Sequence, residues 1–449
     1  MAKKIRLVDV SSPNLFRQMF PYTEFPKVGL DNKKVNMEIP QSIWITDTTF
    51  RDGQQSRPPF TPQQIQAIYD LLHKIDGDTG IIRQCEFFLY SERDRKAVEL
   101  CKARGYKYPQ ITGWIRAVPS DFKLVKQMGL QETGILTSAS DYHIFHKLLK
   151  TRSQAMASYL EIVKAALDHG IIPRCHLEDI TRADYDGFVL PFVEQLMELG
   201  SRYGIPVKIR LCDTLGFGLP WPTATLPRGV PRLVQGLRKL GVPSEQIEWH
   251  GHNDFHKGQI NAATAWLYGC SSVNTAIFGC GERTGNTPLE AMVVEHAQIK
   301  GHTPGVNYAA ITELAEYAQK ELGFEIPANY PLVGRDFNVT RAGIHADGLL
   351  KDEEIYNCFD TQRLLGRPVA VAITDKSGAA GIKHWIESRF QIQIAKQDPR
   401  VVMIKEKIDA EYAQGEDRCR VCQGPSLRYL GSRDVPVGKG GIRGPATST

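Results

Sequence analysis

Between about residues 43 and 300 the chain alternates short apolar runs with longer stretches in which apolar residues recur every three or four positions. The short runs predict strands at 43–47, 81–87, 110–116, 133–137, 171–178, 206–213, 246–250 and 272–278. The longer stretches predict helices, among them 62–74 with Thr61 as its N-cap, 153–169, 184–203 and 260–268. Eight strand-then-helix units over roughly 250 residues match the count and size of an α/β (β/α)8 TIM barrel. A doubly wound open sheet is the runner-up, but no glycine-rich phosphate fingerprint follows the first strand.

The rest of the chain divides around that block. Residues 1–40 form an N-terminal extension that packs on the barrel or on a neighbour, and 41–302 form the barrel. A smaller, mainly helical C-terminal region spans 303–410, with a helix at 308–322 and the stretch Gly343-Ile344-His345-Ala346-Asp347-Gly348. Residues 411–449 are glycine-rich and poor in apolar residues, and read as a tail that is mobile or ordered only against a partner.

Chemistry in such barrels collects at the C-terminal ends of the strands, and polar residues gather there. Arg51-Asp52 follows the first strand, Glu86 ends the second, Arg116 the third, and Thr137-Ser138 the fourth. Glu178-Asp179 and Asp213-Thr214 close the fifth and sixth, His250 and His252 the seventh, and Gly281-Glu282-Arg283-Thr284-Gly285-Asn286 follows the eighth. Residues two apart on a strand point to one side, so His250 and His252 present two imidazoles to one point. A carboxylate arriving from elsewhere completes a facial ligand set with positions left for water and substrate. A single histidine is more often structural; two at this spacing beside acidic residues are not the ordinary case.

Composition narrows the rest. The net charge of +5 is mild, and no basic, aromatic-interleaved stripe suits nucleic acid. No apolar run reaches the roughly 18 residues of a membrane span. The start is charged and lacks the apolar stretch of a signal peptide, so the expected location is cytoplasmic. Nine scattered cysteines do not suggest a disulfide framework, and Cys419 and Cys422 have zinc-like spacing but no second pair.

Three strings carry a resemblance: Asp47-Thr48-Thr49-Phe50-Arg51-Asp52-Gly53-Gln54-Gln55, His250-Gly251-His252-Asn253-Asp254 and Gly281-Glu282-Arg283-Thr284-Gly285-Asn286. In that order, over about residues 40–385, the chain resembles the metal-dependent acyl-CoA condensing enzymes of the isopropylmalate synthase and homocitrate synthase family. Its wording is most similar to the Re-type citrate synthase branch at Ser56-Arg57-Pro58-Pro59-Phe60-Thr61, at Ser140-Asp141-Tyr142-His143-Ile144-Phe145 and from Arg174 to Asp184.

The resemblance implies Asp52, His250 and His252 as ligands of a divalent metal (Mn, Mg, Co or Zn), with Asn286 at a fourth position. It implies Arg51 at the keto oxygen, and Glu178 and Thr214 as substrate contacts; Gln55, His143, Arg174 and His176 join them as substrate-binding candidates. Glu248 matches a glutamate that works with a histidine and a tyrosine of the second region, here His345 and Tyr356. In the family that region completes the partner subunit's site, which implies a homodimer.

The implied reaction is a Claisen condensation of acetyl-CoA with a 2-oxo acid, an acyltransferase reaction. Arg57, Arg83, Arg116, Arg174 and His176 are candidate cations for a second carboxylate, which favours oxaloacetate over 2-oxoglutarate and 2-oxoisovalerate. Two departures stand out. Little sequence follows residue 385 to hold the family's regulatory domain, and Thr374-Asp375-Lys376-Ser377-Gly378 lacks the histidine of the matching stretch. An acyl-CoA lyase and a non-catalytic metabolite-binding paralogue are the rival classes. The synthase-like loop after strand eight argues against the first, and the complete ligand set against the second.

Overall fold

The computed structural model describes residues 5–413, apart from 342, 374–376 and 391. Eight parallel strands close into a barrel: β1 (Trp44–Asp47), β2 (Ile82–Phe88), β3 (Gln110–Ile115), β4 (Glu132–Ser138), β5 (Ile172–Glu178), β6 (Lys208–Asp213), β7 (Ile247–Gly251) and β8 (Ser272–Thr275). The closing pair is β1 with β8, from Trp44 opposite Ser272 to Asp47 opposite Thr275. The helices between and after them are α1 (Pro62–Asp76), α2 (Glu92–Lys102), α3 (Phe122–Gln127), α4 (Arg152–Asp168), α5 (Leu190–Tyr203), α6 (Val230–Lys239), α7 (Gly258–Leu267) and α8 (Leu289–Lys300). This is the TIM barrel that the apolar pattern predicts. No helix among the described residues is long and apolar enough to cross a membrane.

Local chemistry explains the helix starts. The side chains of Thr61, Ser91 and Thr151 each accept a backbone N–H three residues on, and their own N–H groups donate in return to side-chain oxygens of Gln64, Asp94 and Gln154. In α1, Ile65, Ile68, Leu72 and Ile75 recur at helical spacing and are all buried. Two expected elements are cut differently. The eighth strand stops at Thr275 because side chains replace its ladder: Ile277 N–H donates to Thr49 Oγ1 and Phe278 N–H to Glu290 Oε2. The expected 184–203 helix begins as a π-helical turn, Tyr185–Val189, before α5.

Strand residues alternate in an unusual sense. Ile45, Phe87, Ile135, Leu177, Ile209, Leu211, Ile247, Trp249 and Val273 are buried on the helix side, and each contributes about 1.5–3 kcal/mol on the usual scale for such burial. The alternate positions are polar or charged and equally buried: Thr46, Gln84, Glu86, Glu132, Arg174, His176, Arg210, Glu248, Ser272 and Asn274. They bond to one another inside the barrel, which such folds more often fill with branched apolar residues.

The chain separates into two compact units, the first ending at Ile326 and the second starting at Pro327. The division expected at 302 moves because α9 (Ala310–Leu322) packs on α1, with Lys74 paired to Glu313 at 2.6 Å. The N-terminal extension lies along the first unit: the Asn14 N–H donates to Asp141 Oδ2 at 2.7 Å and the Tyr142 hydroxyl to the Leu15 carbonyl at 2.7 Å.

The second unit holds the short parallel pair β9 (Val339–Thr340) and β10 (Ala370–Val371) with α10 (Gly343–Lys351), α11 (Thr361–Leu365), α12 (Ala379–Phe390) and α13 (Pro399–Ala413). Ile373, Ile382, Ile386, Ile394, Val401, Ile404 and Ile408 form its apolar core. The tail beyond 413, with Cys419 and Cys422, lies outside the described residues, as do Thr374, Asp375 and Lys376.

Candidate active site

The loop after β1 is built by its own motif. The Thr48 carbonyl accepts the N–H groups of Arg51, Asp52 and Gly53, which curls the chain back over the strand end. Asp47 accepts Thr49 N–H at 3.0 Å and Thr49 Oγ1–H at 2.7 Å, and burial pushes its carboxyl up to about 7. Gly53 leaves room there for Cys280, whose Sγ would stand 2.7 Å from an added Cβ.

This curl delivers Asp52 to the two histidines. Asp52 Oδ1 accepts from Arg51 Nη1 at 3.2 Å, while Oδ2 stands 3.5 Å from His250 Nε2 and 3.8 Å from His252 Nε2. The two Nε2 atoms are themselves 3.2 Å apart. Asn274 Nδ2 donates to Thr46 Oγ1 at 2.9 Å, so its Oδ1 must accept, at 2.7 Å, a proton from His250 Nδ1. That fixes the tautomer and leaves His250 Nε2 a bare lone pair. Burial lowers the pKa of both rings, His250 to about 3, and keeps them neutral.

One carboxylate oxygen and two imidazole nitrogens therefore lie within 4.8 Å of one another. Asp52 Oδ2 lacks a hydrogen-bond partner among the described residues, as does the buried Asn286 Oδ1. Asn286 is set beside His252 by an antiparallel bridge between them, and its Nδ2 donates to the Cys280 carbonyl at 2.8 Å. Neutral imidazoles and an unpaired carboxylate oxygen in a dry cluster fit a divalent cation.

Arg51 is held by Glu86, with Nε to Oε2 at 2.9 Å, and lies 5.5 Å over the Trp114 ring. Arg210 ties the layer beneath together, giving Nη1 to Glu86 at 3.1 Å and Nε to Glu248 at 2.7 Å. Glu248 has no oxygen to spare: Arg210 and Arg174 occupy one, Thr46 and Ser272 the other. Its expected proton-relay role gives way to a place in the barrel floor.

Several expected substrate cations are likewise elsewhere. Arg83 begins β2 instead of ending it, and stacks on Trp44 at the opposite end of the barrel. Arg174 lies low in β5, paired with Glu132 and Glu248. His176 is buried against Glu86 at 3.5 Å, its pKa lowered to about 4 by that burial. Arg57 stacks on Phe60 and Phe324 and bonds the Leu322 carbonyl, and Arg116 turns outward to Asp121.

At the mouth, Glu178 meets His143 Nδ1 at 3.0 Å, Lys147 Nζ at 3.1 Å and the Ser138 hydroxyl. Burial opposes its ionisation, yet the His143 and Ser138 hydrogen bonds and the Lys147 charge hold it at about 2. Thr214 Oγ1 accepts the Asp179 N–H at 2.9 Å, and Gln55 is exposed in the turn Gly53–Ser56. In the second unit, His345 on α10 is exposed and stacks near Tyr356, ring centroids 4.4 Å apart. Asn274, Arg210 and Lys147 escaped the sequence reading.

A closed parallel barrel with a carboxylate and two imidazoles gathered at the C-terminal ends of its strands is the arrangement of a barrel enzyme with a candidate divalent-metal centre. The chain belongs to the HMGL-like family, whose model matches residues 42–317. It is 53% identical over 436 residues to a "Citrate (Re)-synthase" of Clostridium kluyveri, covering 96% of each chain. It is 54% identical to a "Citrate (Re)-synthase" of Syntrophus aciditrophicus over 92% of this chain and 66% of that one. Among solved structures, a hydroxymethylglutaryl-CoA lyase of Pseudomonas aeruginosa superposes with a TM-score of 0.51 at 18% identity, covering 64% of this chain and 95% of that one. That likeness shows the shared fold.

Proposed function

We propose that this chain is an acyltransferase that condenses acetyl-CoA with oxaloacetate, giving citrate and coenzyme A with the Re stereochemistry. The observation that carries the reading is the 53% identity to a citrate (Re)-synthase over 96% of both chains, since it takes in both units and not the barrel alone.

The residues support the chemistry. Asp52, His250 and His252, with Asn286 beside them, would hold a divalent cation, which supplies Lewis acidity at the oxo acid when bound. Arg51, fixed by Glu86 and Asp52, keeps further N–H donors in its planar fork for the keto oxygen as that atom gains charge. His345, with Tyr356 against it, takes a proton from the acetyl methyl group. The resulting enolate carbon bonds to the keto carbon, whose oxygen is then protonated. Water cleaves the thioester, releasing coenzyme A and citrate. By the same reading, His345 and Tyr356 act at the site of a second copy in a homodimer.

Two measurements test this. Acetyl-CoA labelled in the acetyl group, followed by stereospecific cleavage of the citrate formed, should place the label in the arm opposite to that labelled by the ordinary metal-independent citrate synthase. Label in the ordinary arm, or turnover with 2-oxoglutarate or 2-oxoisovalerate alone, overturns the assignment. Mixing inactive His345→Ala protein with inactive Asp52→Asn protein should restore part of the activity through mixed dimers. No recovery despite demonstrated subunit exchange assigns each site to one chain.

A further inference from the structure

The loop after β4 carries a π-helical turn, Tyr142–Lys147, closed by the Leu148 N–H on the His143 carbonyl at 2.9 Å. Such wide turns are rare and collect at functional sites. With five residues to each hydrogen-bonded step, positions four apart come close to eclipsing. His143 and Lys147 thus lie one above the other: Lys147 Nζ is 3.4 Å from His143 Nδ1, and both face the same carboxylate, Glu178.

This pair lies at the level of the candidate metal centre. Glu178 is opposite Cys212 in the β5–β6 ladder, and Cys212 is opposite His250 in the β6–β7 ladder. Neighbouring strands are about 4.8 Å apart, so the backbones of Glu178 and His250 are roughly 10 Å apart. A four-carbon dicarboxylic acid with one end at the histidines reaches toward Glu178 and Lys147 with the other.

Most cations around the mouth are committed. Arg51 serves Glu86 and Asp52, Arg182 forks onto Asp179 and stacks 3.9 Å over Tyr142, and Arg283 bonds Asp254 and the Thr214 carbonyl. The Lys147 side chain is 50% exposed, and Glu178 is its one carboxylate partner among the described residues. An ammonium has three N–H donors, so it can keep Glu178 and still bind a second carboxylate. We propose that Lys147, steadied by Glu178 and flanked by His143, recognises the distal carboxylate of the oxo acid and makes the enzyme select a dicarboxylic substrate. Ser138 and Glu178 are positioning groups in this arrangement, since the Ser138 hydroxyl donates to Glu178 and Glu178 holds Lys147.

The inference rests on the condensation reading, and its test separates the two. The KM for oxaloacetate is measured beside the inhibition constant of 2-oxobutyrate, which has the same length but no distal carboxylate. In Lys147→Gln, the KM for oxaloacetate should rise about thirtyfold or more, while the 2-oxobutyrate constant moves less than about threefold. Lys147→Arg should recover most of the loss. Both constants rising together, or a KM for oxaloacetate within threefold of the parent, overturns the proposal. A rise confined to the KM for acetyl-CoA also overturns it, and gives Lys147 to the coenzyme phosphates. If the unaltered chain fails to turn over oxaloacetate, the condensation reading itself falls, and this inference with it.

Discussion

His250→Ala, His252→Ala and Asp52→Asn are each expected to lower citrate formation by at least about a thousandfold while the protein stays folded. Each histidine substitution removes one of the three atoms that lie within 4.8 Å of one another, and Asp52→Asn takes the negative charge from the third. Losing a single preorganised group that faces developing charge already costs enzymes about a hundred- to a thousandfold, and a lost ligand also weakens the hold on the cation. The fold should tolerate the change because the trio gives little to stability without the cation. Two neutral nitrogens 3.2 Å apart share at most one proton, and Asp52 Oδ2 bonds to nothing among the described residues. The checks are turnover under saturating divalent metal, metal content by elemental analysis, and thermal unfolding followed by circular dichroism. A chelator should reproduce the loss reversibly. Full activity in a metal-stripped protein would refute the centre.

Arg210→Met should be the most damaging single change away from that trio. Arg210 is fully buried between Glu248 at 2.7 Å and Glu86 at 3.1 Å, and both acids are themselves buried. Removing the guanidinium strands carboxylates in a dry interior, which costs about 3–5 kcal/mol for a broken buried pair. Replacing an entire pair by apolar residues of similar volume is often neutral, so Arg210→Met combined with Glu248→Leu should recover much of the loss. Urea unfolding of the two variants reads the difference directly. A single variant within about 1 kcal/mol of the parent would show that the interior network is slack. Arg210→Met should also lower turnover, because Glu86 is the group that holds Arg51.

Much of the barrel was legible because its outer strand faces are apolar and its helices carry their own start signals, as Thr61 and Thr151 do. The trio was legible because two of its members are two apart on one strand and the third lies in a distinctive string. Lys147 was not, because a π-helical turn shifts spacing away from the periods that sequence patterns reveal. The charged interior was hidden for a related reason. Arg174 and Glu248 read as separate site residues in a one-dimensional string, and their pairing across the interior at 3.2 Å emerges only when the barrel closes. Arg57 and Arg116 misled for the opposite reason: both follow strand ends, yet each finds a closer partner outside the mouth, in the Leu322 carbonyl and Asp121.

The charged floor also bears on how such an enzyme changes over generations. Glu86, Glu132 and Glu248 are balanced as a set by Arg174, Arg210 and Lys208, so a random replacement of any one meets a steep selective barrier unless a second follows. The rim carries no such lock, since Lys147 is half exposed and its turn is part of a loop. Descendants of this barrel should therefore diverge in substrate range through their rim loops while inheriting the floor nearly intact. Laboratory evolution toward new oxo acids should begin at residues 142–147.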